Sequence, residues 1–206
     1  MKGLVRLALE EFMTLASWSH AVRFPPRWQY YRGNSRPTPA LRELIAASEA
    51  EGQWLHDEWW KAPRTETRSI TRRLERHLPP SALPAGRAGL RRGWILETRE
   101  RYARIPYLYG EGDESLGSVQ PDAVYLGEQD TMTLVKIEGG GAVTNYREMK
   151  DIVETILLPF VDYLALVVPF SAHHTEPYRY YNRLVQALHA EQVVQRHLAG
   201  VLLVGY

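Results

Sequence analysis

Apolar residues recur along this chain with two periods, and these periods predict where helices and strands form. Spacing near 3.6 residues predicts helices over residues 3–22, 38–61, 66–78, 145–160 and 177–198. Alternating or continuous apolar runs predict a long strand or hairpin over 93–109 and strands over 122–127, 132–138, 163–169 and 200–206. After an N-terminal helical part the order is helix, three strands as a meander, helix, strand, helix and strand, which indicates an α/β fold.

Capping signals support two of these helices. Thr38 followed by Pro39 is a typical N-cap and first-turn pair. Asn145 with Glu148 three residues later matches a capping box. The helix that follows carries one apolar face, which we expect to pack on the core. That face consists of Met149, Ile152, Val153, Ile156, Leu157 and Phe160.

A proline-rich loop predicts how the chain divides. Residues 79–86 contain three prolines and a glycine, and such a run separates regular elements. We expect an N-terminal helical subdomain over 1–65 and an α/β core over 66–206, whose first helix precedes this loop. The irregular, aromatic stretch 27–37 falls in the helical part, where we expect its rings to fill a small core.

Length and composition fit a protein with one sizeable hydrophobic core. The chain has 206 residues, of which 45% are hydrophobic and 24% charged. No apolar run approaches the roughly 18 residues that a membrane helix needs, and the N-terminus lacks the pattern of a secretory signal. The chain has no cysteine, which excludes disulfides and thiolate metal sites. We expect a cytoplasmic protein without a membrane partner.

The net charge of +1 hides a segregation of charge along the chain. Between Lys61 and Arg104 there are twelve basic residues, eleven of them arginine, and four acids. Arginine presents a planar fork that matches phosphates and guanine edges, so this segment indicates nucleic-acid binding. The alternative is a solvated helix face. The arginines that we expect to contact DNA are Arg68, Arg72, Arg76, Arg91 and Arg92.

Candidate chemistry lies in the segment 121–141. Asp122 opens one short strand, and Lys136 and Glu138 close the next before three glycines. Side chains two residues apart share a face of a strand, so Lys136 and Glu138 are both able to point toward Asp122 across a hairpin. Two carboxylates and an ammonium at a sheet edge suit a divalent metal ion and a phosphodiester. The alternative is an exposed pair of charges beside an Asp that merely begins a strand.

This segment, together with the order of elements, resembles the PD-(D/E)XK nuclease superfamily over roughly residues 66–206. Pro121 and Asp122 match the first half of the family motif, whereas the second half reads lysine, any residue, acid, the reverse of the family order. The resemblance implies a restriction-endonuclease-like mixed sheet of about five strands flanked by helices. It further implies a homodimeric endonuclease that cleaves double-stranded DNA with Mg²⁺, for which Mn²⁺ substitutes. Asp122 and Glu138 would hold the metal ion, and Lys136 would assist the attacking water.

The reversed order has a geometric consequence. It displaces the second acid by roughly 6 to 7 Å along the strand, a distance that a metal ligand does not tolerate without compensation. A changed strand register or a lysine that reaches back to the phosphate would compensate. Otherwise the chain is a catalytically inactive nuclease-like protein that binds nucleic acid or a partner protein. Further candidates are Glu75 and Glu97 as additional acids, Lys150 as a substitute lysine, and the adjacent pair His173 and His174.

Overall fold

A mixed six-stranded sheet carries helices on both of its faces. The computed structural model describes residues 27–32, 37–58, 66–79, 92–97, 103–109, 115–127, 129–139, 147–172 and 175–206. The strands are β1 (Arg27–Arg32), β2 (Gly93–Leu96), β3 (Ile105–Tyr109), β4 (Ser115–Val119), β5 (Ala123–Leu126), β6 (Met132–Ile137), β7 (Tyr163–Val168) and β8 (Gly200–Gly205). The helices are α1 (Pro39–Ala50), α2 (Gly52–Asp57), α3 (Glu66–Glu75), α4 (Arg147–Ile156), α5 (Pro177–Ala190) and α6 (Val193–His197).

The strand order of the main sheet is β1-β8-β7-β6-β5-β2. Strands β2, β5 and β6 form an antiparallel meander. Strands β6, β7 and β8 are parallel to one another, because α4 and then α5 carry the chain back between them. Strands β3 and β4 form a separate two-stranded sheet. The expected α/β class with a mixed, helix-flanked sheet is confirmed.

Strand β1 is an element that the sequence did not predict. It lies antiparallel to β8 along the edge of the main sheet, with Trp28 opposite Val204. Trp28 and Tyr30 pack against the same core cluster as Leu41 of α1 and Val167 of β7. The described residues between 27 and 58 therefore share one core with the sheet. A partner strand about 170 residues away along the chain makes this segment extended, which a local pattern does not reveal.

Several helices are shorter than predicted. The predicted helix 38–61 is α1 and α2, separated at Glu51. The predicted helix 177–198 is α5 and α6, separated where Gln192 adopts a left-handed conformation with φ of 58°. The strand predicted over 93–109 is β2 and β3, which belong to different sheets. The predicted helix 3–22 lies outside the described residues.

Helix α4 differs from its prediction in the face that it buries. Ile152 is buried, but Met149 and Val153 are each 43% exposed and Leu157 is 59% exposed. The helix is turned so that polar Asp151 and Thr155, both buried, face the interior instead. None of the helices in the described ranges is long and apolar enough to cross a membrane.

Candidate active site at the carboxyl edge of the sheet

The register of the meander places Asp122 beside Lys136. Ala123 pairs with Val135 and Val124 with Leu134, and one further step along the ladder brings Asp122 to Lys136. Side chains alternate between the two faces of the sheet, so both residues lie on the face of Val124 and Leu134, under α4, α5 and α6. Glu138, two residues beyond Lys136, has the same parity and is buried. The three predicted residues therefore share one face of the sheet.

The Asp122 carboxylate is tied to the end of β6. Its Oδ2 accepts a hydrogen bond of 2.7 Å from the backbone N–H of Ile137. Burial raises the pKa of Asp122 to about 7, against the lowering effects of that hydrogen bond and of Lys136. The charges of Glu97 and Asp151 raise the pKa of Asp122 further. Asp122 thus exchanges a proton near neutral pH, which is unusual for an aspartate.

Lys136 is buried among acids of helix α4. Its Nζ lies 3.6 Å from Asp151 Oδ1 and 3.7 Å from Glu154 Oε2. The Lys136 side chain is 11% exposed and that of Asp151 is 8% exposed. The alternative of a solvent-exposed charge pair therefore does not describe Lys136 or Glu138, since both are buried.

Asp151 is the residue of this cluster that the sequence did not single out. Besides its contact with Lys136, its Oδ2 accepts a hydrogen bond of 3.2 Å from the hydroxyl of Tyr181, which is completely buried on α5. Burial raises the pKa of Tyr181, and the charges of Glu138 and Asp151 raise it further. No local signal singled it out, because Asp151 occupies one of the polar positions outside the predicted apolar face of the helix.

Glu138 lies on the side of the cluster nearer to β7. Its backbone N–H donates to Val167 O at 2.8 Å, and its backbone oxygen accepts from the Tyr206 hydroxyl at 2.5 Å. Asp122, by contrast, precedes β5 on the other side of β6. Asp151 is the acid whose charge raises the pKa of both Asp122 and Tyr181. The charge of Glu138 also raises the pKa of Tyr181.

Glu97 connects this cluster to the arginine-rich helix α3. Its backbone N–H donates to Asp122 O at 2.7 Å, and its Oε1 lies 3.3 Å from Arg68 Nη2. Gln120 donates to the same oxygen at 3.1 Å. Arg72 and Arg76 are exposed. Arg72 follows Arg68 at about 6 Å along the helix axis, and Arg76 comes directly after the last residue of α3. The predicted row of arginines therefore begins beside the acids.

Arg92 has a different position from the row on α3. It precedes β2, at the other end of that strand from Glu97, where its Nη1 donates to Gly127 O at 2.6 Å and its Nη2 lies 2.9 Å from Asp130. These contacts of Arg92 stabilise the turn between β5 and β6. Arg91 lies outside the described residues.

Of the remaining candidates, Lys150 contacts the outer side of the cluster through Glu154. Lys150 is exposed and pairs along its own helix with Glu154 at 3.6 Å. Glu75 lies at the end of α3, away from the arginine that reaches Glu97. His173, His174, Gly140 and Gly141 lie outside the described residues, and Gly139 is buried just after Glu138.

The carboxylate oxygens of the cluster are the type of ligand that a hard cation such as Mg²⁺ prefers. In the described part of the chain, no three His, Asp or Glu side chains are grouped closely enough to hold a metal ion by themselves. Mg²⁺, however, usually keeps several waters and binds through one or two carboxylates together with substrate phosphates. Asp122 and Asp151 are two such carboxylates on one face of the sheet.

Comparison of the chain with models of known protein families and with curated proteins finds no match.

Proposed function

We propose that the protein is an Mg²⁺-dependent endonuclease for double-stranded DNA and that the cluster around Lys136 is its reaction site. The observation that carries this proposal is the meeting of Asp122, Lys136 and Asp151 on one face of the sheet. The strand order β2-β5-β6-β7, with α4 crossing between β6 and β7, supports the resemblance to the PD-(D/E)XK superfamily.

Charge favours a cation at this place. The described residues of the cluster are five acids and three cations, which leaves an excess of two negative charges when all are ionised. The acids are Glu97, Asp122, Glu138, Asp151 and Glu154, and the cations are Arg68, Lys136 and Lys150. Burial is the main cause of the raised pKa of Asp122, and the like charges of Glu97 and Asp151 raise it further. A divalent ion would relieve this repulsion and stabilise the ionised form of Asp122.

Each residue has a distinct role in the proposed reaction. Asp122 and Asp151 would hold the ion. Asp151 replaces the predicted Glu138 as the second ligand because the charge of Asp151 acts on Asp122. When bound, Mg²⁺ would polarise the scissile phosphate and lower the pKa of a bound water. Lys136 would offset the negative charge that grows on the phosphate. Arg68, Arg72 and Arg76 would hold the neighbouring phosphates of the duplex.

Plasmid cleavage with and without Mg²⁺ tests this function. Asp122→Asn and Asp151→Asn should each lower the cleavage rate by about 100-fold or more while DNA binding is retained. Asp57→Asn is the matched control, since this exposed aspartate contacts His56 away from the cluster. Glu138→Gln shows whether Glu138 or Asp151 is the second ligand. Absence of cleavage by the unmodified chain with both Mg²⁺ and Mn²⁺ would refute the proposal.

A second candidate function follows from the position of the Lys136 ammonium. It lies between Asp151 and Glu154, where it acts as an internal cation in the acid cluster. In that case the protein is a catalytically inactive nuclease-like protein that binds nucleic acid or a partner protein. Titration with Mn²⁺ separates the two functions, because the inactive protein would bind no ion until Lys136 is replaced.

A further inference from the structure

Tyr181 presents its hydroxyl to the reaction cluster from the interior of the protein. The residue lies in α5 and is completely buried. Its hydroxyl donates to Asp151 Oδ2 at 3.2 Å, and no other described residue accepts this proton. A tyrosine is un-ionised at neutral pH, so it is the donor to an ionised carboxylate. One of the two oxygens of Asp151 therefore accepts a hydrogen bond from the protein itself.

The other oxygen of Asp151 faces the sheet. Asp151 Oδ1 lies 3.6 Å from Lys136 Nζ, and Lys136 lies beside Asp122 in the meander. The two oxygens thus have contacts on two different elements, Oδ1 with β6 and Oδ2 with α5. Such neighbouring contacts fix the orientation of a carboxylate group. Of the two oxygens of Asp151, Oδ1 is therefore the one on the side of Asp122.

Core packing holds Tyr181 in place. Tyr181 and Val185 are both buried one turn apart on α5 and belong to the core cluster between the helices and the sheet. Side chains in a protein core are packed as densely as molecules in an organic crystal, so a completely buried ring does not follow a carboxylate that rotates. The hydroxyl of Tyr181 is therefore a fixed donor, and it is Asp151 that must adopt the matching orientation.

We propose that Tyr181 is a positioning residue that leaves only one oxygen of Asp151 for a metal ion and so selects Mg²⁺ or Mn²⁺ over Ca²⁺. This inference rests on the proposed function, because it takes Asp151 as a ligand of the ion. Mg²⁺ requires a compact octahedral shell with oxygens at about 2.0–2.1 Å. Ca²⁺ takes about six to eight oxygens at about 2.3–2.6 Å and accepts both oxygens of one carboxylate. A carboxylate that offers a single oxygen therefore suits the smaller ion.

Selectivity distinguishes this role from that of an ordinary core tyrosine. A hydroxyl that only stabilises the fold would, when removed, change the affinities for both ions by the same factor. A hydroxyl that orients Asp151 changes the two affinities differently, because its removal frees Oδ2 for the ion that uses both oxygens. The ratio of the affinities for Mn²⁺ and Ca²⁺ is therefore the quantity to measure.

Tyr181→Phe tests the inference, because it removes the hydroxyl and keeps the ring in the core. Calorimetric titration of the full chain with Mn²⁺, and separately with Ca²⁺, gives the two dissociation constants. The unmodified chain should bind Mn²⁺ more tightly than Ca²⁺. In Tyr181→Phe the affinity for Mn²⁺ should fall by about 10-fold, the usual effect of losing a group that orients a ligand, while the affinity for Ca²⁺ is retained or increased.

Tyr206→Phe is the matched control. Tyr206 is buried as well, but its hydroxyl donates to the backbone oxygen of Glu138 and not to a carboxylate. The ratio of the two affinities in Tyr206→Phe should equal that of the unmodified chain. Urea unfolding without metal shows that each variant is folded and how much stability each hydroxyl contributes.

A double-mutant cycle provides a second measurement. Because Tyr181 acts through Asp151, adding Tyr181→Phe to Asp151→Asn should change neither affinity further. An unchanged ratio in Tyr181→Phe, an equal fall in Tyr206→Phe, or a further loss in the double variant would overturn this inference while Mn²⁺ binding by the unmodified chain leaves the proposed function standing. Absence of Mn²⁺ binding by the unmodified chain would instead refute the proposed metal site, and the role of Tyr181 with it.

Discussion

The ammonium nitrogen of Lys136 lies 3.6 Å from a carboxylate oxygen of Asp151 and so joins the last strand of the meander to the helix that follows it. Asp122 faces the same lysine from the neighbouring strand, and the charge of Lys136 lowers its pKa. The charges of Lys136 and Asp151 both act on Asp122, so a change to either residue alters the ionisation of Asp122. The predictions for this cluster depend on these interactions.

Lys136→Met should destabilise the protein and increase its affinity for a divalent metal ion. Methionine fills a similar volume but leaves buried Asp151 without its cation, which we expect to lower the free energy of unfolding by about 3 kcal/mol. Addition of Mn²⁺ should restore much of that loss, because the ion replaces the missing charge. Urea unfolding with and without Mn²⁺ measures both effects. The control Lys150→Met removes a lysine that is 67% exposed, and equal losses in the two variants would contradict a buried role for Lys136.

Asp122→Asn should change how stability depends on pH. The pKa of Asp122 rises on folding from 3.8 to about 7, so the folded state holds the proton more tightly than the unfolded state. This contribution is present below the unfolded pKa and is lost as pH rises toward 7, by up to about 1.4 kcal/mol per pH unit. Asparagine keeps an oxygen for the Ile137 N–H but does not titrate. Urea unfolding across this interval should show a flatter profile for the variant, and an unchanged profile would refute the raised pKa.

Binding of a metal ion by the unmodified protein should depend on the ionisation of Asp122. Because only ionised Asp122 is a ligand for a hard cation, Mn²⁺ affinity should increase as pH rises through about 7 and should be accompanied by proton release. Calorimetric titration in buffers of different ionisation enthalpy measures the released proton. Affinity that is independent of pH would exclude Asp122 as a ligand.

Glu51→Gln should weaken the packing of α1 and α2 on α3. Glu51 is buried and lies 2.8 Å from Arg73 and 2.9 Å from His77. Burial alone would raise the pKa of Glu51, but the hydrogen bonds from His77 and Arg73 outweigh it and lower that pKa. Its stabilising contribution is therefore present above the unfolded pKa of 4.5 and is lost as pH falls. We expect a loss of about 1–2 kcal/mol at neutral pH, measured by urea unfolding against exposed Glu58→Gln.

Arg72→Ala and Arg76→Ala should weaken DNA binding in a manner that depends on salt and not on sequence. Each removes one phosphate contact, so the slope of log affinity against log salt concentration should fall by about one per substitution. Fluorescence anisotropy with a labelled duplex measures this slope. Arg196→Ala on α6, also an exposed arginine, is the control. Arg73 is unsuitable because its guanidinium stacks 4.1 Å from the Trp54 ring and pairs with Glu51. An unchanged slope in both variants would remove α3 from the proposed DNA surface.

Local sequence patterns predicted most strands of the main sheet, but they did not predict strand β1 or the contribution of Asp151. The alternation of apolar residues in β6 placed Lys136 and Glu138 on one face, and the register with β5 brought Asp122 to that face. Strand β1 escaped prediction because its pairing with β8 supplies the reason for its extended form. The acid Asp151 also escaped prediction, since helical spacing alone indicated that Met149 and Val153 would face inward.

The sequence by itself determined the α/β class, the order of most elements and the parity that unites Asp122, Lys136 and Glu138, because these follow from contacts between near neighbours and from fixed backbone periods. Only the tertiary structure decided the rotation of α4, which sets Asp151 against Lys136 and leaves Met149, Val153 and Leu157 exposed. Rotation of a helix depends on the balance between a buried charge network and apolar burial, and both involve residues far apart along the chain.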